Sequence, residues 1–214
     1  CCQGGAGMGY SLAGFDVTGI DIEYQKKYPF KFIQDDAVDF LLKNHQNFDF
    51  IHASPPCQGY SNLTPKDHIA KYDKMICTLR QMLNEIGKPY VIENVEGAKK
   101  HMINPLMLCG SMFGLRTQRH RFFECSFEIY APQKCDHSQI PLLVTTASRA
   151  SINLRKKHGM IPKSVKNSIL AYGIDWMDFN GLRESIPPAY TKYIGDFYHK
   201  NISQYAHQKQ TKGI

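Results

Sequence analysis

A cysteine held directly behind two prolines is the first place in this 214-residue chain where the residue types suggest chemistry. Ser54-Pro55-Pro56-Cys57-Gln58 follows the apolar run FDFIHA at 48–53, which reads as a buried strand. Proline fixes φ, so the pair carries the backbone stiffly out of the strand and holds the next side chain at the carboxyl edge. Most cysteines are small buried apolar groups. One presented in this way is a candidate nucleophile, and its thiolate forms if a helix N-terminus or an arginine lowers its pKa. Glu93-Asn94-Val95 leaves the strand Tyr90-Val91-Ile92 in the same manner, so a second reactive side chain emerges at the same edge. A desolvated carboxyl group there can hold a proton at neutral pH; a solvated Glu opening a loop is the plain alternative. Gln118-Arg119-His120-Arg121 enters the strand 122–125, and alternation puts Arg119 and Arg121 on one face. Two arginines so placed suit a carbonyl oxygen or a phosphate, or else the salt bridges of a surface strand.

These side chains need a frame, and the hydrophobic pattern supplies one. Residues 15–22 (FDVTGIDI) and 30–33 read as short strands, and DAVDFLLKN after the second reads as a helix. Met75, Ile76, Leu79, Met82, Leu83 and Ile86 recur at helical spacing, and Gly87 and Pro89 stop that helix before the strand at 90–92. Strand and helix alternate, which predicts an α/β fold with a mostly parallel, doubly wound sheet whose ligands bind at the carboxyl ends of its strands. Residues 1–125 form the expected core. A polar, basic insertion at 126–170 lacks a clear period, and 171–214 ends in Tyr190, Tyr193, Ile194, Phe197 and Tyr198 on one helical face, a helix expected to pack back on the sheet.

Ahead of the first strand stands Gly4-Gly5-Ala6-Gly7-Met8-Gly9, where bare amides at a helix N-terminus could approach a ligand. The run fits a tight turn as well as a cofactor loop. Asp21 and Glu23 at the end of the next strand favour the second, because a carboxylate there can accept both hydroxyls of a ribose. Asp36, after the following strand, lies where an adenine amino group could be met. The chain opens on Cys1-Cys2 just before this run, so a preceding strand is expected to be missing from the sequence.

Seven cysteines without paired spacing read as reduced thiols, and no apolar stretch has the length of a membrane span, so a soluble, intracellular protein is expected. The net charge of +7 is uneven: residues 1–110 carry 11 basic and 12 acidic side chains, residues 111–214 carry 15 and 7. A polyanion would sit on the second half, unless that charge is only a solvated face. Cys125, Cys135 and His137 are poorly spaced for zinc, and no metal is expected.

The glycine-rich loop, Pro-Pro-Cys-Gln, Glu-Asn-Val, an Arg-x-Arg strand and a late Ile-Pro-Pro follow one another as in the cytosine-5 DNA methyltransferase family, which the chain resembles over nearly its whole length. The Pro-Pro-Ala-Tyr-Thr ending resembles small phage-type members. The family's glutamine usually sits one residue earlier than Gln118, and its Asn-x-Pro-Pro reads Ser185-Ile186-Pro187-Pro188 here. The resemblance implies a Rossmann-like fold dependent on S-adenosylmethionine, with the small basic insertion as the target-recognition lobe. Gly4, Gly5, Gly7 and Pro55 would line the methyl donor, Asp21 or Glu23 would hold its ribose and Asp36 its adenine. Cys57 would add to carbon 6 of a cytosine flipped out of duplex DNA. Glu93 would bond or protonate ring nitrogen 3, and Arg121 with Arg119 would hold the ring carbonyl. Gln58 and Ser61 beside the nucleophile would contact DNA, with Arg149, Arg155, Lys156, Lys157, Lys163 and Lys166 taking phosphates. A cytoplasmic monomer of a prokaryotic or phage-infected cell, with a possible cognate restriction endonuclease, completes that expectation. Two rivals stay open. One is the same chemistry on transfer RNA, whose hallmark Cys-Phe-Thr is not in the chain; the other is a non-catalytic relative that binds DNA.

Overall fold

The computed structural model describes residues 1–60, 75–138 and 165–211. It is an α/β fold in which strands and helices alternate as the pattern predicts: α1 (Gly5–Leu12), β1 (Thr18–Asp21), β2 (Lys31–Gln34), α2 (Ala37–Asn44), β3 (Ile51–Ala53), α3 (Ile76–Ile86), β4 (Tyr90–Asn94), β5 (Leu106–Leu108), β6 (Arg121–Cys125), α4 (Val165–Tyr172), α5 (Phe179–Glu184) and α6 (Pro188–Thr211). β1 and β2 pair in parallel, and a second sheet runs β3-β4-β6-β5. Within it β3 and β4 are parallel, which aims the ends of both at one edge, whereas β6 is antiparallel to β4 and β5. The antiparallel β5–β6 edge is what the hydrophobic pattern did not announce, since alternation along a strand carries no direction.

All of β4 is buried, and its alternation divides the core. Tyr90 and Ile92 pack with Ile76, Leu79 and Leu83 of α3. Val91 packs on the other face with Tyr190 and Ile194 of α6. β6 does the same, with Phe122 on the first side and Phe123 on the second. The α3 stripe is therefore a core stripe, ended as expected by Gly87 in the left-handed region at φ 72°.

The last helix folds back over the first. Thr191 Oγ1 donates to Ala6 O at 2.8 Å, and a Cβ built on Gly9 would lie 2.0 Å from Thr191 Oγ1 and 2.2 Å from Pro188 O. Gly9 thus lets two helix backbones touch. Gly9→Ala is expected to cost about 1–3 kcal/mol through overpacking, read as a lower unfolding midpoint in denaturant without a change of slope. Among the described residues no helix is long and apolar enough to cross a membrane.

Candidate active site

The stiff turn after β3 and the end of β4 are tied together: Asn94 Nδ2 donates to Pro55 O at 3.0 Å. Cys57 O accepts from Tyr60 N at 2.9 Å, so the nucleophile candidate sits in a closed turn rather than on a free loop. Its side chain is exposed. Glu93, by contrast, is 6% exposed at the end of an entirely buried strand. Arg121 Nε meets Glu93 Oε1 at 3.1 Å from the antiparallel neighbour β6.

Charge and burial set the protonation of this group. Burial raises the Glu93 carboxyl above its ordinary range, while Arg121, a bond from Ser54 and the field of Arg119 pull it back. Arg121 is itself lowered, by burial first and by Arg119 second. Desolvation raises the Cys57 thiol and the carboxylate of Glu93 adds to the rise, with Arg121 opposing. The expectation that an arginine would lower this thiol therefore finds its arginine, but the opposing effects outweigh it. Cys57 rests as a thiol and must lose its proton when it reacts.

The Arg-x-Arg pair divides its work. Arg119 Nη1 donates to Tyr172 OH at 3.2 Å, its guanidinium lies 5.3 Å from the Tyr172 ring centroid, and Nη2 donates to Arg183 O at 2.7 Å. Tyr190 OH donates to Arg119 O at 2.6 Å. Arg119 Nε is buried without a hydrogen-bond partner among the described residues. Arg121 is thus the arginine that meets Glu93, and Arg119 is gripped by the C-terminal segment while its charge still reaches the site.

On the other side lies the glycine-rich loop. Asp21 Oδ2 accepts from Cys2 N at 2.9 Å, and Asp21 Oδ1 from Glu23 N at 3.1 Å, so the loop before α1 abuts the acidic end of β1. Desolvation first, and then Glu93 and Glu184 among other charges, raise the thiols of both Cys2 and Cys57. The glycines have separate duties. A Cβ on Gly5 would lie 2.4 Å from Ile186 O, so this glycine is required by helix packing. Cβ atoms on Gly4 and Gly7 would instead meet Tyr28, at 3.1 Å and 2.9 Å. Asp36 Oδ1 accepts from Val38 N and Asp39 N as the N-cap of α2, a structural task that the sequence reading did not assign. Gln58 is exposed beside Cys57. Ser61, Arg149, Arg155, Lys156, Lys157 and Lys163 lie outside the described residues.

Residues 17–107 match the sequence profile of a family described as C-5 cytosine-specific DNA methylase. Over this segment, less than half of its length, the chain is similar to the cytosine-5 DNA methyltransferase family. No curated protein matches the chain. The matched segment contains Cys57 and Glu93; Arg119, Arg121 and the glycine-rich loop lie beyond its ends. Those outer residues are joined to it by the contacts just described.

The candidate site also holds side chains that sequence reasoning passed over. Tyr10 OH and His52 Nδ1 are 2.9 Å apart, His52 Nε2 and Ser54 Oγ 3.1 Å apart, and Ser54 in turn bonds Glu93. Burial lowers the His52 imidazole to about 3, so it stays neutral and can only relay or orient. The signal was the alternation His52-x-Ser54, which puts both side chains on one face of the chain leaving β3.

Proposed function

We propose that the chain transfers a methyl group from S-adenosylmethionine to carbon 5 of a cytosine flipped out of duplex DNA, through a transient bond to Cys57. The reading rests above all on Arg121 and Glu93 meeting at 3.1 Å around an exposed Cys57 whose proton affinity both of them govern. Carbon 5 of cytosine is a poor nucleophile until something adds to carbon 6. Cys57 makes that addition and gives up its thiol proton. Glu93, buried and raised, donates to ring nitrogen 3 and drains electron density from the ring. Arg121 holds the ring carbonyl and, in doing so, gives up part of its contact with Glu93. Once carbon 5 carries the methyl group, its remaining proton passes to solvent, the C–S bond to Cys57 breaks, and ring nitrogen 3 returns its proton to Glu93, which restores the aromatic ring.

The acidic end of β1, lying one hydrogen bond from the loop before α1, has carboxylate acceptors suited to the hydroxyls of the methyl donor's ribose. Glu23 is the exposed carboxylate there, and Asp21 braces the loop. When bound, S-adenosylmethionine supplies an electrophilic methyl group. Gly4 and Gly7 would flank it and Asp36 would face its adenine; Gly5 belongs to the packing of α1 on the C-terminal segment. Flipping the base costs on the order of a few kcal/mol, to be offset by contacts from the basic second half of the chain.

Purified protein given isotopically labelled methyl donor with duplex DNA or with transfer RNA tests the substrate. Label is expected in DNA alone, and label in RNA alone ends the DNA reading. A duplex carrying 5-fluorocytosine is expected to remain covalently attached to the protein and not to Cys57→Ser. No adduct at saturating methyl donor would leave a DNA-binding relative as the better account.

A further inference from the structure

Arg119 and Arg121 point to one face of the strand entrance, so the residue between them points to the other. There His120 Nε2 lies 3.4 Å from Cys135 Sγ and 3.3 Å from His137 Nε2. His137 Nε2 lies 2.9 Å from Cys135 Sγ and 3.2 Å from Cys109 Sγ. All four donor atoms lie within 4.8 Å of one another. We propose that Cys109, His120, Cys135 and His137 bind a structural zinc ion.

Geometry carries this assignment. Zinc sits about 2.3 Å from sulfur and about 2.0–2.1 Å from nitrogen, so a tetrahedron of two sulfurs and two nitrogens has S···N edges of roughly 3.5 Å and an N···N edge of roughly 3.4 Å. The cluster reproduces the second within about 0.1 Å, and its S···N distances of 2.9, 3.2 and 3.4 Å are up to about 0.6 Å shorter than the first, close enough for an ion to seat by small side-chain shifts. Four protein ligands close the shell and leave no position for water or substrate, which marks a structural rather than a catalytic ion. Cys109 is fully buried and the other three are half-buried. Ser111 Oγ donates to Cys109 Sγ at 3.3 Å and to Cys135 Sγ at 3.7 Å, the outer support that thiolate ligands receive in such sites. On binding, the two thiols release their protons to solvent and the imidazoles stay neutral.

The ligands come from three places: just after β5, just before β6, and the loop that follows β6. One ion would therefore staple the β5–β6 hairpin to residues 135–137 and fix the backbone on either side of His120, from which Arg119 and Arg121 project. Spacing along the sequence hid this, because the expected partner Cys125 lies at the far end of β6 and takes no part. His120 and Cys109 join Cys135 only through the fold.

Protein purified from zinc-replete medium without chelator should contain about one zinc per chain by elemental mass spectrometry. Cobalt(II) in its place should give the visible bands of a tetrahedral ion together with a thiolate charge-transfer band. Cys135→Ser and His137→Ala should each lose most of the metal, whereas Cys77→Ser, an exposed thiol on α3, should keep it. Less than about a tenth of an ion per chain, an octahedral cobalt spectrum, or a Cys109–Cys135 disulfide found by mass mapping would each overturn the site. The metal content and cobalt spectrum of the unaltered protein decide the matter even if the variants fail to fold, and neither measurement depends on methyl transfer.

Discussion

Cys57→Ser is expected to abolish methyl transfer to within detection, a loss of at least about a thousandfold in kcat, because an alcohol at the same position is a far weaker nucleophile than a thiolate. Binding of DNA and of the methyl donor should persist, since the side chain is exposed and contributes no core packing. A parallel loss of DNA binding would instead mark Cys57 as a structural residue. The pH profile adds a sharper test. Burial and the carboxylate of Glu93 raise the thiol, so its reactive form grows as pH rises. Glu93 is raised by burial, and the protonated form that donates to the ring is lost as pH rises. The product of these two fractions is flat between the two titrations and falls on either side. The expected kcat/KM profile is therefore a bell whose acid limb follows Glu93 and whose alkaline limb follows Cys57, the reverse of the usual assignment of base and acid. Glu93→Gln keeps a neutral donor at all pH and should remove the plateau and the alkaline fall, leaving a single rise. Its rate, lower by about a hundredfold at neutral pH, should climb with pH until Cys57 has titrated. An unchanged bell in this variant would sink the assignment of Glu93.

Much of this site was legible beforehand, for a physical reason. Pro55-Pro56 and the run Tyr90-Val91-Ile92 act locally: prolines stiffen their own turn, and a continuous apolar run between turn signals fits a strand buried on both faces. Their parallel pairing then brings Cys57 and Glu93 to one edge. The α3 stripe and the helix after Pro188 were readable for the same reason, since spacing along a helix is a local property. What was not legible depends on contacts between distant segments. Gly5 looked like a ligand glycine because nothing in the sequence says that Ile186 will press against it. The capping task of Asp36 was not legible because an N-cap and a binding carboxylate are the same residue type after the same strand. Arg119 and Arg121 looked equivalent until Tyr172, Arg183 and Tyr190 closed around the first. Of the Cys and His cluster only Cys135 and His137 stood out in the sequence, because Cys109 and His120 come from other segments that join them only when β6 turns back antiparallel to β5.

One such long-range contact should decide whether the chain folds at all. Arg80 on α3 meets Glu124 on β6 in a two-pronged ion pair, Nε to Oε1 at 2.5 Å and Nη2 to Oε2 at 2.7 Å, with the side chains 13% and 3% exposed. Arg80 Nη2 also donates to His101 O at 2.6 Å, and Glu124 Oε2 accepts from Ile103 N at 2.7 Å. The pair therefore ties the helix, the strand and the 3-10 turn after β4 into one network. Glu124→Ala strands a guanidinium and a backbone N–H in the interior, which costs about 3–5 kcal/mol. Against a total stability of about 5–15 kcal/mol this is enough to leave much of the protein unfolded at 37 °C. Arg80→Met together with Glu124→Leu removes both charges at once, and a buried pair replaced by apolar groups is often neutral. Here recovery should be only partial, because His101 O and Ile103 N still lose their partners at about 1–3 kcal/mol each. Chemical denaturation of Arg80→Met, Glu124→Leu and the double variant gives the coupling directly. A double variant no more stable than Glu124→Ala would show that the backbone anchors, rather than the charges, hold this corner together.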